Sequence, residues 1–193
     1  MARISLDPPR TLVYRLTEWY SRRQWGVVAD PAAAMGHNPK VLLTNARFEM
    51  SLDKWHSLDP TLKHLAEMAA SVQIGCSWCV DFGYWTAASQ GTDPAKLRDV
   101  PRWRDSDVYT DLERRVLEYT EAATATPPTV TDEMVEGLRR DLDDAALVEL
   151  TMMIAVENQR SRFNSALGLH SQGFKDRCEI PAATVAPLRT TAS

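Results

Sequence analysis

The sequence predicts an all-α fold, and three observations predict it. The pairs Asp30-Pro31, Asn38-Pro39, Asp59-Pro60 and Asp93-Pro94 each set a capping side chain before a proline. At the first helical position proline's fixed φ is suitable and its missing N–H is no loss. Apolar residues recur at helical spacing between these starts. No stretch alternates with period two between turn residues, so little or no sheet is expected.

The segment through Gly26 holds Leu12, Val13, Leu16, Trp19 and Tyr20. These read as an amphipathic helix packed on the body; a partner-binding helix is the functional alternative, with the weaker prior. The helix after Pro60 buries Leu62, Leu65, Ala69 and Val72, and Gly91 is placed to end the following one. Ser106 can cap a segment from Asp107 to Ala123, whose Val108, Leu112, Val116, Leu117 and Tyr119 form a rough stripe. Pro127-Pro128 breaks the chain. Thr131 then caps a short helix with Asp132 and Glu133 in its first turn, where acids suit the helix dipole. Asp143 begins the last and longest helix, running to about Leu167 before Gly168. Beyond Gly173 an irregular tail is expected, carrying Pro181, Pro187 and the lone Cys178.

A chain of 193 residues suffices for a single domain with one substantial core, here about 39–168, plus an N-terminal helical extension and the C-terminal tail. A net charge of −4 argues against a nucleic-acid-binding surface. No apolar run reaches the length of a membrane span. The opening Met-Ala-Arg-Ile-Ser lacks an apolar secretory core, so a cytoplasmic location is expected.

Chemistry concentrates at Gly75-Cys76-Ser77-Trp78-Cys79. Residues three apart on a helix share a face, so two sulfurs at that spacing can bond and part without moving the backbone. A thiolate near a helix N-terminus is stabilised by unpaired N–H groups. Structural zinc needs four ligands, and His37, His56, His64 and His170 offer no paired spacing to complete a set with Cys178. A structural disulfide would imply an oxidising compartment. Two inert buried cysteines hold about half the prior weight. On the preceding helix His64, Glu67 and Ser71 fall at i, i+3 and i+7, one polar face that ends at the cysteines. Alone, such a face usually means water; leading to a dithiol, it offers proton carriers.

The run from Leu62 to Cys79 resembles the core of the carboxymuconolactone decarboxylase-like proteins, in their alkylhydroperoxidase D-like branch. Ser71, Cys76, Trp78 and Cys79 match that pattern, and Glu157 to Asn164 resembles the final helix. Two positions depart from it: His64 stands where the family has glutamate, and Gly83 where it has histidine. Glu67, one turn beyond His64, is a candidate replacement carboxylate, and Gly83 leaves a space beside Cys79. Asp81 points to another helical face.

The resemblance implies a compact antiparallel helical bundle and a thiol-dependent peroxidase. Cys79 would attack a hydroperoxide and Cys76 would resolve the product, whereas the helix dipole alone favours Cys76 as the more acidic thiol. The reductant would be a dithiol protein or small thiol, and the assembly a homo-oligomer, trimer or hexamer. No cofactor or metal is expected, and neither nucleic acid nor membrane as a partner. His64 is expected to point at the dithiol and accept its proton, with Glu67 orienting the ring and Ser71 holding a water between. Two alternatives stay open: a lactone decarboxylase, in which a dithiol is not a defining feature, and a non-catalytic redox-sensing oligomer.

Overall fold

The structure, a computed structural model, describes residues 1–177; the irregular tail expected beyond Gly173 begins instead with a buried Phe174 and a short 3-10 turn, and Cys178 with the rest of it lies outside the described residues. Among the described residues nine α-helices follow in order: α1 (Leu12–Trp25), α2 (Asp30–Met35), α3 (Pro39–Leu52), α4 (Pro60–Ile74), α5 (Ser77–Ser89), α6 (Pro94–Asp99), α7 (Asp111–Thr124), α8 (Asp132–Leu138) and α9 (Asp144–Ala166). Single 3-10 segments lie at Val100–Asp105 and Lys175–Arg177, and no strand occurs among the described residues.

Local signals account for most of the starts. Asn38, Asp59 and Asp93 each accept backbone N–H groups just ahead of a proline. Thr131 and Asp143 cap α8 and α9 in the same way. Asp30 does not cap: it lies inside α2, and its own N–H goes to Gln172 Oε1. Ser106 does not cap α7 either. That helix starts four residues later, where Thr110 and Glu113 form a reciprocal capping box, which satisfies two orphan donors against one for a lone serine. The Ser106 hydroxyl instead donates to Asp99 Oδ2 at 2.5 Å.

Helix α4 is the centre of the molecule. It packs against α9, α7 and α5, and Ala66, Ala69 and Ala70 keep its surface narrow enough for close approach. Leu65, Met68 and Ala69 pack with Tyr84 and Ala87 of α5 and Leu117 of α7. Leu62 and Ala66 pack with Val116 of α7 and Leu150 and Ile154 of α9. Two apolar cores thus share one helix, which holds its polar residues in fixed directions.

Helix α1 corrects an expectation. Of its stripe only Val13 packs on the body, against the Tyr14 core; Leu12 is 71% exposed, Trp19 62%, and Leu16 and Tyr20 face outward with them. Tyr14 and Ser21 form the buried side instead. Tyr14 packs with Ala33 and Leu42 in a small separate core, so spacing correctly showed a stripe while the docking face lay opposite.

The candidate dithiol site

Gly75 builds the site's corner. With φ of 78° it ends α4 in the left-handed conformation, and the Cys76 N–H then reaches back to the Ser71 carbonyl. A residue with a Cβ is strained there, which is why glycine occupies it. The reversal sends α5 back along α4 with Cys76 as its N-cap residue. The Cys76 sulfur accepts the Cys79 N–H at 3.1 Å, so it stands in for the usual oxygen cap. Cys76 and Cys79 are joined as a disulfide. Cys76 is 1% exposed and Cys79 6%. Gly75 and Ser77, on either side of Cys76, line an open cleft of about 430 Å³ together with Val72, Val80, Ser171 and Lys175.

Helix α9 supplies the wall behind the sulfurs. Glu157, Ser161 and Asn164, at i, i+4 and i+7, form a buried polar stripe along one face. Asn164 Nδ2 donates to Cys79 Sγ at 3.3 Å. Glu157 Oε1 lies 2.7 Å from both Ser71 Oγ and Ser161 Oγ. Burial in this wall pushes the Glu157 carboxyl up to about 7, against the pull of Arg160 and with help from the neighbouring Glu67 charge; the two serine bonds lower it. Ser71 Oγ is also 2.8 Å from the Glu67 carbonyl oxygen. Its one hydrogen can serve only one of these acceptors at a time. A protonated Glu157 donates to Ser71 while Ser71 donates to Glu67; an ionised Glu157 takes the serine hydrogen for itself.

The sequence-predicted residues separate into three places. Ser71 lies beside the cysteines, but its partner is Glu157, not a water below an imidazole. Glu67 does not orient His64. It pairs with Arg160 at 2.7 Å, and Arg160 also holds Glu49 at 2.5 Å and Glu157 at 3.3 Å.

His64 does not point at the dithiol. Its Nδ1 lies 2.7 Å from Thr92 Oγ1 and its Nε2 3.0 Å from Gln90 Oε1. Gln90 is the C-cap of α5 and Cys76 the N-cap, roughly 20 Å apart at the helical rise. The two helices are antiparallel, so the start of α4 meets the end of α5. Burial lowers the His64 pKa, so the ring is neutral at pH 7. His64→Ala should therefore cost about 1–2 kcal/mol in a denaturant titration, from the stranded Thr92 and Gln90 groups, and leave the pH profile of thiol alkylation unmoved.

The space that Gly83 leaves is taken by a neighbouring side chain rather than by water or substrate: a Cβ there would sit 3.2 Å from Met68 Sδ. Asp81 does face elsewhere. Its carboxylate accepts the N–H groups of Gln172, Phe174 and Lys175. Burial pushes its pKa up, but these bonds and one from Ser171 outweigh it and hold the carboxyl below its usual range. Asp81 thereby straps residues 171–175 over α5, where fully buried Phe174 meets Phe82 edge-on and Trp78 stacks on Phe82 at 4.8 Å.

Glu157, Ser161 and Asn164 were not read as site residues from sequence. The half of α9 that carries them, Glu157-Asn158-Gln159-Arg160-Ser161-Arg162-Phe163-Asn164, is polar on nearly every face, so no local signal marks which of these side chains is buried. Glu157 also makes a pH prediction. Its folded pKa lies above the unfolded carboxyl value of 4.5, so the native state binds the extra proton and stability falls as pH rises from about 4.5 through 7. His64, with its lowered pKa, works in the opposite direction across part of that range. Urea titrations of wild type and Glu157→Gln between pH 5 and 8 isolate the glutamate: the difference between them should grow in the variant's favour with pH.

Residues 39–122 match the carboxymuconolactone decarboxylase family. Over 171 residues the chain is 36% identical to the uncharacterized protein YnjA of Escherichia coli, spanning 88% of this chain and 92% of that one. The chain belongs to the carboxymuconolactone decarboxylase family. Solved structures share the family fold over nearly the full length. An alkylhydroperoxidase AhpD core, a peroxidase-related protein from Ralstonia eutropha, superposes with a TM-score of 0.79 at 16% identity, covering 90% of this chain and 94% of that one. The debrominase Bmp8, in complex with 2,3,4-tribromopyrrole, superposes with a TM-score of 0.78 at 19% identity, covering 92% and 97%. At these identities the likeness is one of fold. In this chain α9 brings the Glu157 carboxyl onto Ser71, the residue whose carbonyl accepts the Cys76 N–H.

Proposed function

We propose that this family member is a thiol-dependent peroxidase that reduces hydroperoxides with the Cys76–Cys79 dithiol. The observation that carries the reading is the cysteine pair itself, closed as a disulfide at the first turn of α5 with a side-chain amide on the Cys79 sulfur. Such a pair takes up and releases two electrons without backbone movement.

In the cycle, Cys79 thiolate attacks the terminal oxygen of ROOH, the O–O bond breaks, and the alkoxide takes the Cys76 thiol proton to leave as ROH. Cys79 is now a sulfenic acid. Cys76 thiolate attacks its sulfur, the S–S bond forms, and the departing hydroxide takes the Glu157 proton by way of Ser71 to become water. A dithiol donor then reduces the disulfide; one of its two protons returns to Cys76 and the other to Glu157. The cleft lined by Gly75 and Ser77, the chain neighbours of Cys76, supports an approach of that donor from this side. A carboxyl titrating near 7 suits a group that must both give and regain a proton. The reading includes homo-oligomeric assembly, supported by the outward apolar residues Leu16 and Trp19 of α1 and Val148 and Met152 of α9.

Trp78 and Phe82, stacked at the first turn of α5, favour a second reading in which a flat halogenated ring replaces the peroxide. There the dithiol would take the halogen: R–Br and two thiols give R–H, HBr and the disulfide.

One stoichiometric experiment separates these readings. Reduced protein is mixed with cumene hydroperoxide, with and without a dithiol donor, and thiols and alcohol are counted. The peroxidase loses two thiols per alcohol in one turn and makes many equivalents of alcohol per chain with the donor. Thiol loss without turnover is the sensor; no thiol loss overturns the proposal. A bromopyrrole and a muconolactone serve as the halide and decarboxylase arms, read as released bromide and carbon dioxide.

A further inference from the structure

We propose that Asn164 is a catalytic residue, holding the Cys79 thiolate with its Nδ2–H and the O–H of the incoming hydroperoxide with its Oδ1. The inference rests on the peroxidase reading above. Its first half is geometric: the amide nitrogen is already 3.3 Å from Cys79 Sγ, and a sulfur that accepts an N–H in the disulfide accepts it more strongly as a thiolate. The second half comes from the other end of the same amide. Asn164 is 2% exposed, yet its Oδ1 has no hydrogen-bond partner among the described residues. Buried carbonyl oxygens are nearly always paired, and this one sits on the amide that touches the reacting sulfur.

A single planar amide presents its N–H and its oxygen side by side. A hydroperoxide donating its O–H to Oδ1 therefore has its terminal oxygen, the one that sulfur attacks, beside the Sγ held by Nδ2. After attack, that oxygen keeps its hydrogen as Cys79–S–O–H, so the bond to Oδ1 persists while the O–O bond breaks. This arrangement also decides between the two cysteines. The Cys76 sulfur is occupied by the Cys79 N–H at the helix cap and is the less exposed of the two. Among the described residues Cys79 alone has a side-chain amide on its sulfur, and that amide has an acceptor to spare.

The test uses the full chain with Cys76→Ser, so that oxidation stops at the Cys79 sulfenic acid, and follows two rates. Hydrogen peroxide and cumene hydroperoxide report the whole arrangement, whereas iodoacetamide, which needs only the thiolate, reports the N–H half. Adding Asn164→Ala should slow sulfenic acid formation about 100-fold, the usual loss when one preorganised polar partner is removed, and alkylation by no more than about tenfold. If both rates fall equally, Oδ1 has no part and the two-point hold is overturned. Equal rates in parent and variant overturn it outright. Should alanine prevent folding, the near-isosteric Asn164→Asp keeps the oxygen and loses the N–H. Its alkylation profile should move to higher pH, and an unmoved profile overturns the proposal. A Cys76→Ser parent that forms no sulfenic acid removes the peroxidase reading itself, and this inference with it.

Discussion

A Cys79→Ser protein should consume no hydroperoxide, with turnover down by at least about 1,000-fold, while a Cys76→Ser protein should be oxidised once and stop. Serine cannot take an oxygen onto its hydroxyl and release it to a thiol, so losing the attacking sulfur ends the cycle at its first step. Losing the resolving sulfur leaves that step intact: Cys79 becomes a sulfenic acid that a dimedone-type reagent traps. The asymmetry tests the assignment of roles. If Cys76 attacked, as its N-cap position under the helix dipole would favour, the two variants would exchange phenotypes. His64→Ala is the matched control, since its ring is bonded to Thr92 and Gln90 at the far end of α5.

Arg160→Ala should destabilise the fold by about 1–3 kcal/mol, the usual cost of leaving a buried acceptor without its partner: the Arg160 side chain is itself 27% exposed, but its partner Glu157 is buried. Arg160 joins α3, α4 and α9 through Glu49, Glu67 and Glu157, with bonds from 2.5 to 3.3 Å. Its removal leaves three carboxylates facing one another, two of them tied to helices that frame the dithiol. Glu157 then holds its proton to still higher pH, which limits the loss in acid and enlarges it above neutrality. Lysine should not rescue the stability, because one ammonium cannot span three carboxylates as a planar guanidinium does. A fall in urea midpoint with unchanged slope would confirm the effect, and an unchanged midpoint in Arg160→Ala would discard the hub. A smaller loss on a Glu157→Gln background would show that the two residues act together.

Helix positions were legible because their causes are local. The Asn38, Asp59 and Asp93 caps lie within three residues of the groups they satisfy, and the Gly75 corner needs only its own φ. The miss at Ser106 was also local, because Thr110-x-x-Glu113 was the stronger cap in plain view. The cysteine pair was legible for the same reason, its spacing and its place at a helix start both being properties of four consecutive residues.

The surroundings of the sulfurs followed a different rule. His64 and Glu67 share a helical face with Ser71, but side chains three to seven positions apart reach different neighbours once α5 runs antiparallel to α4 and α9 packs alongside. One end of that face meets Thr92 and Gln90, its middle meets Arg160, and only its last turn reaches the site. Glu157 and Asn164, more than 75 residues beyond the cysteines, enter through the packing of α9 on α4 and α5. Short-range hydrogen bonding and backbone sterics put a dithiol at a helix start. Long-range burial, which chooses which polar groups lose water together, brought in the Glu157 carboxyl and the Asn164 amide.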